Sequence, residues 1–200
     1  MTQGQSYKSF RHAGDAGDIL AFLPVIRHNG GGVLYLEAAT WTRVPLTHEN
    51  WRGLDILLKE QPYIVDVRPW KGERVHIVGN DFRAHMGRAL RQGSGRNKSL
   101  LHWQLETHNV PHDAANEPWL KVEPYPTKPV VINRSGANRP FQNQYFNPSF
   151  PWHRVWQKYK DQAVFVGLPE EHEAFCGACG DIPYIGTANL YEAARVIQGC

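Results

Sequence analysis

The sequence predicts an α/β protein built on parallel strands. Short runs rich in β-branched and aromatic residues alternate with longer segments whose apolar residues recur at helical spacing. A glycine turn lies between the first such run and the first helical segment. Alternation of this kind is typical of parallel strands joined by right-handed helical crossovers. The 200 residues can form one domain or two small ones with a substantial core.

The first half of the chain contains four predicted strands and four predicted helices. We expect the strands over residues 7–11, 32–37, 63–67 and 75–78, and the helices over 18–27, 48–61, 83–91 and 100–107. The pattern then breaks between Val110 and Pro129 into prolines, acids and short polar runs, which is the composition of a linker. We therefore predict an N-terminal domain over residues 1–112 and a linker over residues 113–128.

The alternation restarts after the linker, which predicts a second domain over residues 129–200. Its strands are expected over 130–133, 163–167 and 182–185, and its helices over 152–160, 169–176 and 189–198.

The segment from His12 to Pro24 carries the most specific chemical information. A strand, a glycine turn and a helix form the corner that faces phosphates in nucleotide-binding α/β folds. Here, however, the turn contains Asp15 and Asp18, whose carboxylates would repel a phosphate. Two interpretations of Asp18 remain open: it acts as a base, or it only caps the free amides at the start of the helix.

This segment resembles the opening of glycosyltransferase family 9, which includes the ADP-heptose:lipopolysaccharide heptosyltransferases. The matching pairs are Gly17-Asp18 and Leu23-Pro24. The second half resembles later motifs of the same family, in the same order: Val130-Val131-Ile132-Asn133-Arg134-Ser135, Phe150-Pro151-Trp152, Val164-Phe165-Val166-Gly167-Leu168-Pro169-Glu170-Glu171-His172 and Gly186-Thr187-Ala188-Asn189-Leu190.

The resemblance implies a GT-B-like fold, in which two Rossmann-like parallel-sheet domains face each other across a cleft. Residues 1–112 would form the acceptor-side domain and residues 129–200 part of the nucleotide-sugar domain. Members of the family continue into another strand and an Asp/Asn-x-Ser/Thr-Gly motif that holds the donor diphosphate, whereas this sequence ends at Cys200. The second domain is therefore expected to be incomplete, and its open sheet edge predicts self-association.

The resemblance also implies a function, which is inverting transfer of a sugar from a nucleotide-diphosphate sugar to a hydroxyl of a glycan or small-molecule acceptor. The nucleotide sugar is a co-substrate, and neither a cofactor nor a metal is expected. Asp18 would be the catalytic base, with the acceptor-side residues His12, Asp15 and Gly17 beside it. The donor and its phosphates would contact Arg134, Ser135, Arg139 and Glu171. Phe150-Pro151 stands where the family usually has a basic residue before the tryptophan.

Two alternative functions remain open. The first is an inactive fragment or a non-catalytic nucleotide-sugar-binding protein, because the main donor-binding motif is missing. The second is a nucleic-acid-associated protein, since no acid interrupts the chain between Asp81 and Glu106. The basic residues of that stretch fit a nucleic acid backbone or an anionic acceptor, and equally a solvated face. They are Arg83, Arg88, Arg91, Arg96 and Lys98.

Composition excludes several other classes of protein. No run of about 18 apolar residues predicts a membrane span, and the polar first residues lack the apolar core of a signal peptide. The net charge of +3 gives no strong indication of a nucleic acid partner. Three cysteines do not make a disulfide framework, and Cys176-Gly177-Ala178-Cys179 lacks the second ligand pair of a zinc site. We therefore expect a cytoplasmic protein.

Overall fold

The computed structural model describes residues 7–38, 48–95, 98–133 and 150–200. The chain divides into two compact units, Met1–Lys121 and Val122–Cys200. Each unit contains a parallel sheet with helices, so the predicted α/β class is confirmed. Among the residues described, no helix is both long enough and apolar enough to cross a membrane.

The first unit contains a four-stranded parallel sheet. The elements in chain order are β1 (Lys8–His12), α1 (Ala16–His28), β2 (Gly32–Leu36), α2 (His48–Lys59), β3 (Ile64–Pro69), β4 (Ile77–Val78), α3 (Asp81–Arg91), α4 (Leu100–Thr107) and a 3-10 turn (His112–Ala115). The strand order is β3-β2-β1-β4, so β1 is one of the two inner strands, and every neighbouring pair is parallel.

The core of this unit lies between the sheet and α1. Phe10 on β1 pairs with Leu34 on β2, and both side chains are fully buried. The apolar face of α1 packs into the same cluster through Ile19, Phe22 and Leu23. Burial of this face, more than helix propensity, stabilises α1 against the sheet.

The strand order creates a topological switch point beside β1. The chain runs from β1 outward through β2 to β3, and then returns to place β4 on the opposite side of β1. The loops that follow β1 and β4 therefore leave the same edge of the sheet and diverge. In open α/β sheets, ligands bind in the crevice at this position.

The second unit contains a smaller parallel sheet. Its elements are β5 (Val130–Ile132), α5 (Trp152–Tyr159), β6 (Ala163–Val166), α6 (Pro169–Cys179), β7 (Tyr184–Ile185) and α7 (Leu190–Gln198). The strand order is β5-β6-β7. The central strand β6 is buried along its whole length, and its Phe165 packs against Phe175 and His172.

The predicted start of α1 and the predicted end of α6 are wrong. Helix α1 begins at Ala16, two residues before Asp18, because the backbone carbonyl of Asp15 already accepts a hydrogen bond from the Ile19 amide. Asp15 therefore occupies the N-cap position, although its side chain makes no capping bond. Helix α6 continues past Cys176 to Cys179.

Candidate functional site

The switch point of the first unit brings together two segments that are far apart in sequence. Asp18 lies in the first turn of α1, after β1, and Arg83 lies in the first turn of α3, after β4. The Nη2 atom of Arg83 donates a hydrogen bond to Oδ2 of Asp18. The Asp18 side chain is only 3% exposed, whereas Arg83 remains 42% exposed. The buried carboxylate therefore has a charged partner that faces solvent.

The glycine turn allows the backbone to pack directly on this carboxylate. A Cβ atom at Gly14 would lie 2.6 Å from the Cβ of Asp18 and 2.6 Å from Cε1 of His12. No side chain larger than hydrogen fits there without displacing one of them. At Gly17, in contrast, a Cβ would meet no described atom within 4 Å. Gly17 is exposed at the start of α1, so its backbone is accessible to a ligand.

Asn80 joins the loop after β4 to the loop after β1. The amide of Ala13 donates a hydrogen bond of 2.6 Å to Oδ1 of Asn80. The Nδ2 atom of Asn80 and the Oδ1 atom of Asp15 are buried and have no partner among the described residues. Buried polar atoms are rarely left without a partner, and water or a ligand often supplies one. The switch point therefore has both a donor and an acceptor available.

His12 lies in the interior and not on a substrate-facing surface. Its side chain has no exposed area, and its ring packs against Phe22 at 5.3 Å and Phe82 at 6.4 Å between centroids. A Cβ at Gly79 would lie 2.3 Å from Cδ2 of the ring, so a residue with a side chain at position 79 would collide with His12. The predicted acceptor-side position of His12 is thus enclosed by protein.

Hydrogen bonds identify the protonation state of His12. The Gly14 amide donates to Nδ1 over 2.9 Å, so the neutral ring carries its proton on Nε2. Nε2 of His12 lies 3.2 Å from the side-chain nitrogen Nε2 of Gln104, and Oε1 of Gln104 has no partner among the described residues. Both ring nitrogens of His12 are hydrogen-bonded when the Gln104 amide is oriented so that its Oε1 accepts a hydrogen bond from Nε2–H of the ring.

The pKa of His12 is lowered to about 3, mainly by burial and in smaller part by the nearby charges of Arg83 and His108. A charged imidazole would lose its hydration in this apolar surrounding without gaining an anionic partner. His12 is therefore neutral near pH 7, and its Nδ1 supports the glycine turn by accepting the hydrogen bond from the Gly14 amide.

The donor-side residues predicted in the second unit are only partly described. Arg134, Ser135 and Arg139 lie outside the described residues. Glu171 lies in the first turn of α6, where its Oε2 accepts a hydrogen bond of 3.0 Å from the Leu168 amide. This contact caps the helix, as a carboxylate at an N-terminus commonly does. A role for Glu171 in donor binding remains a prediction.

The cysteine pair does not form a metal site in the described parts of the chain. Neither Cys176 nor Cys179 on α6 forms a disulfide bond, and Sγ of Cys176 lies 3.3 Å from Nε2 of His172. That nitrogen also lies 2.9 Å from the carbonyl oxygen of Ile182, which requires it to donate its proton there. No group of three or more metal-ligating side chains occurs among the described residues.

Two residues of the basic stretch form ion pairs within the first unit. Arg83 pairs with Asp18, and Nζ of Lys98 lies 2.5 Å from Oε1 of Glu106. The hydrogen bond from Lys98 holds the pKa of Glu106 below its usual value. Arg88 and Arg91 are exposed on α3, as a solvated face would be.

Three contributors to the site escaped prediction: Asn80, Gln104 and Arg83 as the partner of Asp18. A local signal existed for Asn80, since Gly79-Asn80-Asp81 between a strand and a helix parallels Gly14-Asp15 after β1.

Comparison of the chain with family models, with curated proteins and with solved structures found no match.

Proposed function

We propose that this protein is an inverting glycosyltransferase, which moves a sugar from a nucleotide-diphosphate sugar to a hydroxyl of a glycan or small-molecule acceptor. Asp18 is the general base. The observation that carries the proposal is the Asp18 carboxylate, which follows a glycine turn at the switch point of a parallel sheet. A GT-B arrangement of the two parallel-sheet units is part of the proposal, with the acceptor bound by the first unit.

The chemistry requires one proton acceptor and one site for a departing anion. Asp18 takes the proton of the acceptor hydroxyl while the hydroxyl oxygen forms a bond to the anomeric carbon. The bond between that carbon and the diphosphate oxygen breaks, and the diphosphate leaves with the electron pair. Arg134, Ser135 and Arg139 are the proposed contacts for the diphosphate, since guanidinium and hydroxyl groups bind phosphate oxygens well. The reaction balances without a metal.

The Asp18→Asn variant tests the proposal. Asparagine keeps the size of the side chain but cannot take up the proton, so turnover should fall by about 100-fold or more. The assay measures release of nucleoside diphosphate from UDP-, GDP- and ADP-sugars, and calorimetry measures binding of the three diphosphates. Asp113→Asn, at an exposed position of the same unit, is the matched control. Equal turnover by Asp18→Asn and the control would remove Asp18 from the mechanism.

A second candidate is a nucleotide-sugar-binding protein without turnover. The observation in its favour is the low exposure of Asp18, whose carboxylate is held by Arg83. The same assay separates the two functions. Saturable binding of one nucleoside diphosphate without release from any sugar donor would indicate the binding protein, whereas release that depends on Asp18 would indicate the transferase.

A further inference from the structure

The placement of Arg83 beside Asp18 depends on the tertiary structure of the first unit. It is separated from Asp18 by 65 residues of sequence and reaches it only because β4 pairs with β1. Its guanidinium also lies over the ring of Phe82, with 5.1 Å between Cζ and the ring centroid. Phe82 is fully buried, so this ring gives the guanidinium a fixed support.

The burial of Asp18 explains why its carboxylate needs a positively charged partner. Gly14 packs on the carboxylate from the turn, and the side chain is almost completely removed from solvent. A buried carboxyl without a positive partner tends to be neutral, and a neutral carboxyl cannot accept a proton. The neighbouring imidazole of His12 cannot supply the positive charge, because it is itself neutral.

We propose that Arg83 is a positioning residue, which pairs with the Asp18 carboxylate and orients it for proton transfer. This inference rests on the proposed function. Arg83 acts through Asp18 and does not itself take part in the transfer of the proton or the sugar. Its loss should therefore lower kcat and leave the KM for the nucleotide sugar nearly unchanged.

The ion pair can be tested without any assay of activity. The free energy of opening of the first unit, measured by hydrogen exchange of β1 and β2 amides, is compared in the wild type, Asp18→Asn, Arg83→Met and the double variant. We expect the effects of Asp18→Asn and Arg83→Met on the equilibrium constant for opening to be non-additive by a factor of about ten or more. Arg88→Met, which removes an exposed arginine of the same helix, should show no coupling to Asp18→Asn.

Activity then tests the positioning role. Release of nucleoside diphosphate should fall at least 30-fold in Arg83→Met, and Arg83→Lys should recover part of the loss because it restores a positive charge. Wild-type kcat in Arg83→Met, or absence of coupling in the cycle, would overturn the inference. If the wild type releases no diphosphate from any donor, the proposed function fails, while the cycle still decides whether Arg83 holds Asp18. If Arg83→Met does not fold, Arg83→Gln, which removes the charge but keeps a polar side chain, takes its place in the cycle and in the activity assay.

Discussion

The buried histidine of the first unit makes its stability depend on pH in a calculable way. In the folded chain the pKa of His12 is about 3, whereas an unfolded histidine titrates near pH 6.5. The folded pKa is the lower one, so the stabilisation is complete above pH 6.5 and is lost as the pH falls toward 3. Between these values the unfolded chain holds one more proton, and stability decreases by about 1.4 kcal/mol per pH unit.

The loss from pH 6.5 to pH 4.5 is then about 2.3 kcal/mol, because the unfolded histidine is already half protonated at pH 6.5. This is a large part of the unfolding free energy of a typical domain, roughly 5–15 kcal/mol. His12→Asn removes this titration while its Oδ1 can still accept the Gly14 amide in place of Nδ1. The variant should be less stable at pH 8 by about 1–3 kcal/mol, because a buried ring is replaced by a smaller side chain. Its deficit should shrink as the pH falls.

The assay is hydrogen exchange of the β1 and β2 amides at several pH values between 8 and 4.5, corrected for the intrinsic exchange rates. Other groups, such as His108, titrate in both proteins, so the difference between them isolates His12. His28→Asn, at an exposed position on α1, is the control and should retain the pH dependence of the wild type. Identical slopes for the wild type and His12→Asn would refute the conclusion that the buried ring resists protonation.

Two further predictions concern the local structure of the two units. Gly14→Ala should destabilise the first unit by about 1–3 kcal/mol, because its Cβ would lie 2.6 Å from that of Asp18. Gly17→Ala should be neutral or stabilising by up to about 1 kcal/mol, since the Cβ meets no described atom within 4 Å and alanine favours the helix. Urea unfolding of both variants measures the two effects, and an equal loss of stability in both would contradict this prediction. Glu171→Ala should cost the second unit about 1 kcal/mol by removing the acceptor of the Leu168 amide, and unchanged hydrogen exchange in α6 would argue against that capping contact.

Local sequence patterns predicted most of the secondary structure. The strand of residues 163–167 is observed as Ala163–Val166, and the helix of residues 100–107 is observed as Leu100–Thr107. Such segments are predictable because the side-chain period of a strand or helix is written directly in the order of apolar residues. The start of α1 was not predictable in this way, because Asp15 and Asp18 are both suitable N-cap residues. In the structure, Asp15 occupies the N-cap position.

The sequence by itself predicted the α/β class and the glycine turn, because both depend on patterns of residues that are close in sequence. It also offered Asp18 as a candidate base, which stays a prediction. Tertiary structure alone decided that Arg83 pairs with Asp18 and that His12 is enclosed and neutral. Both outcomes require β4 to return beside β1. That pairing brings together segments about 65 residues apart, and no local periodicity encodes it.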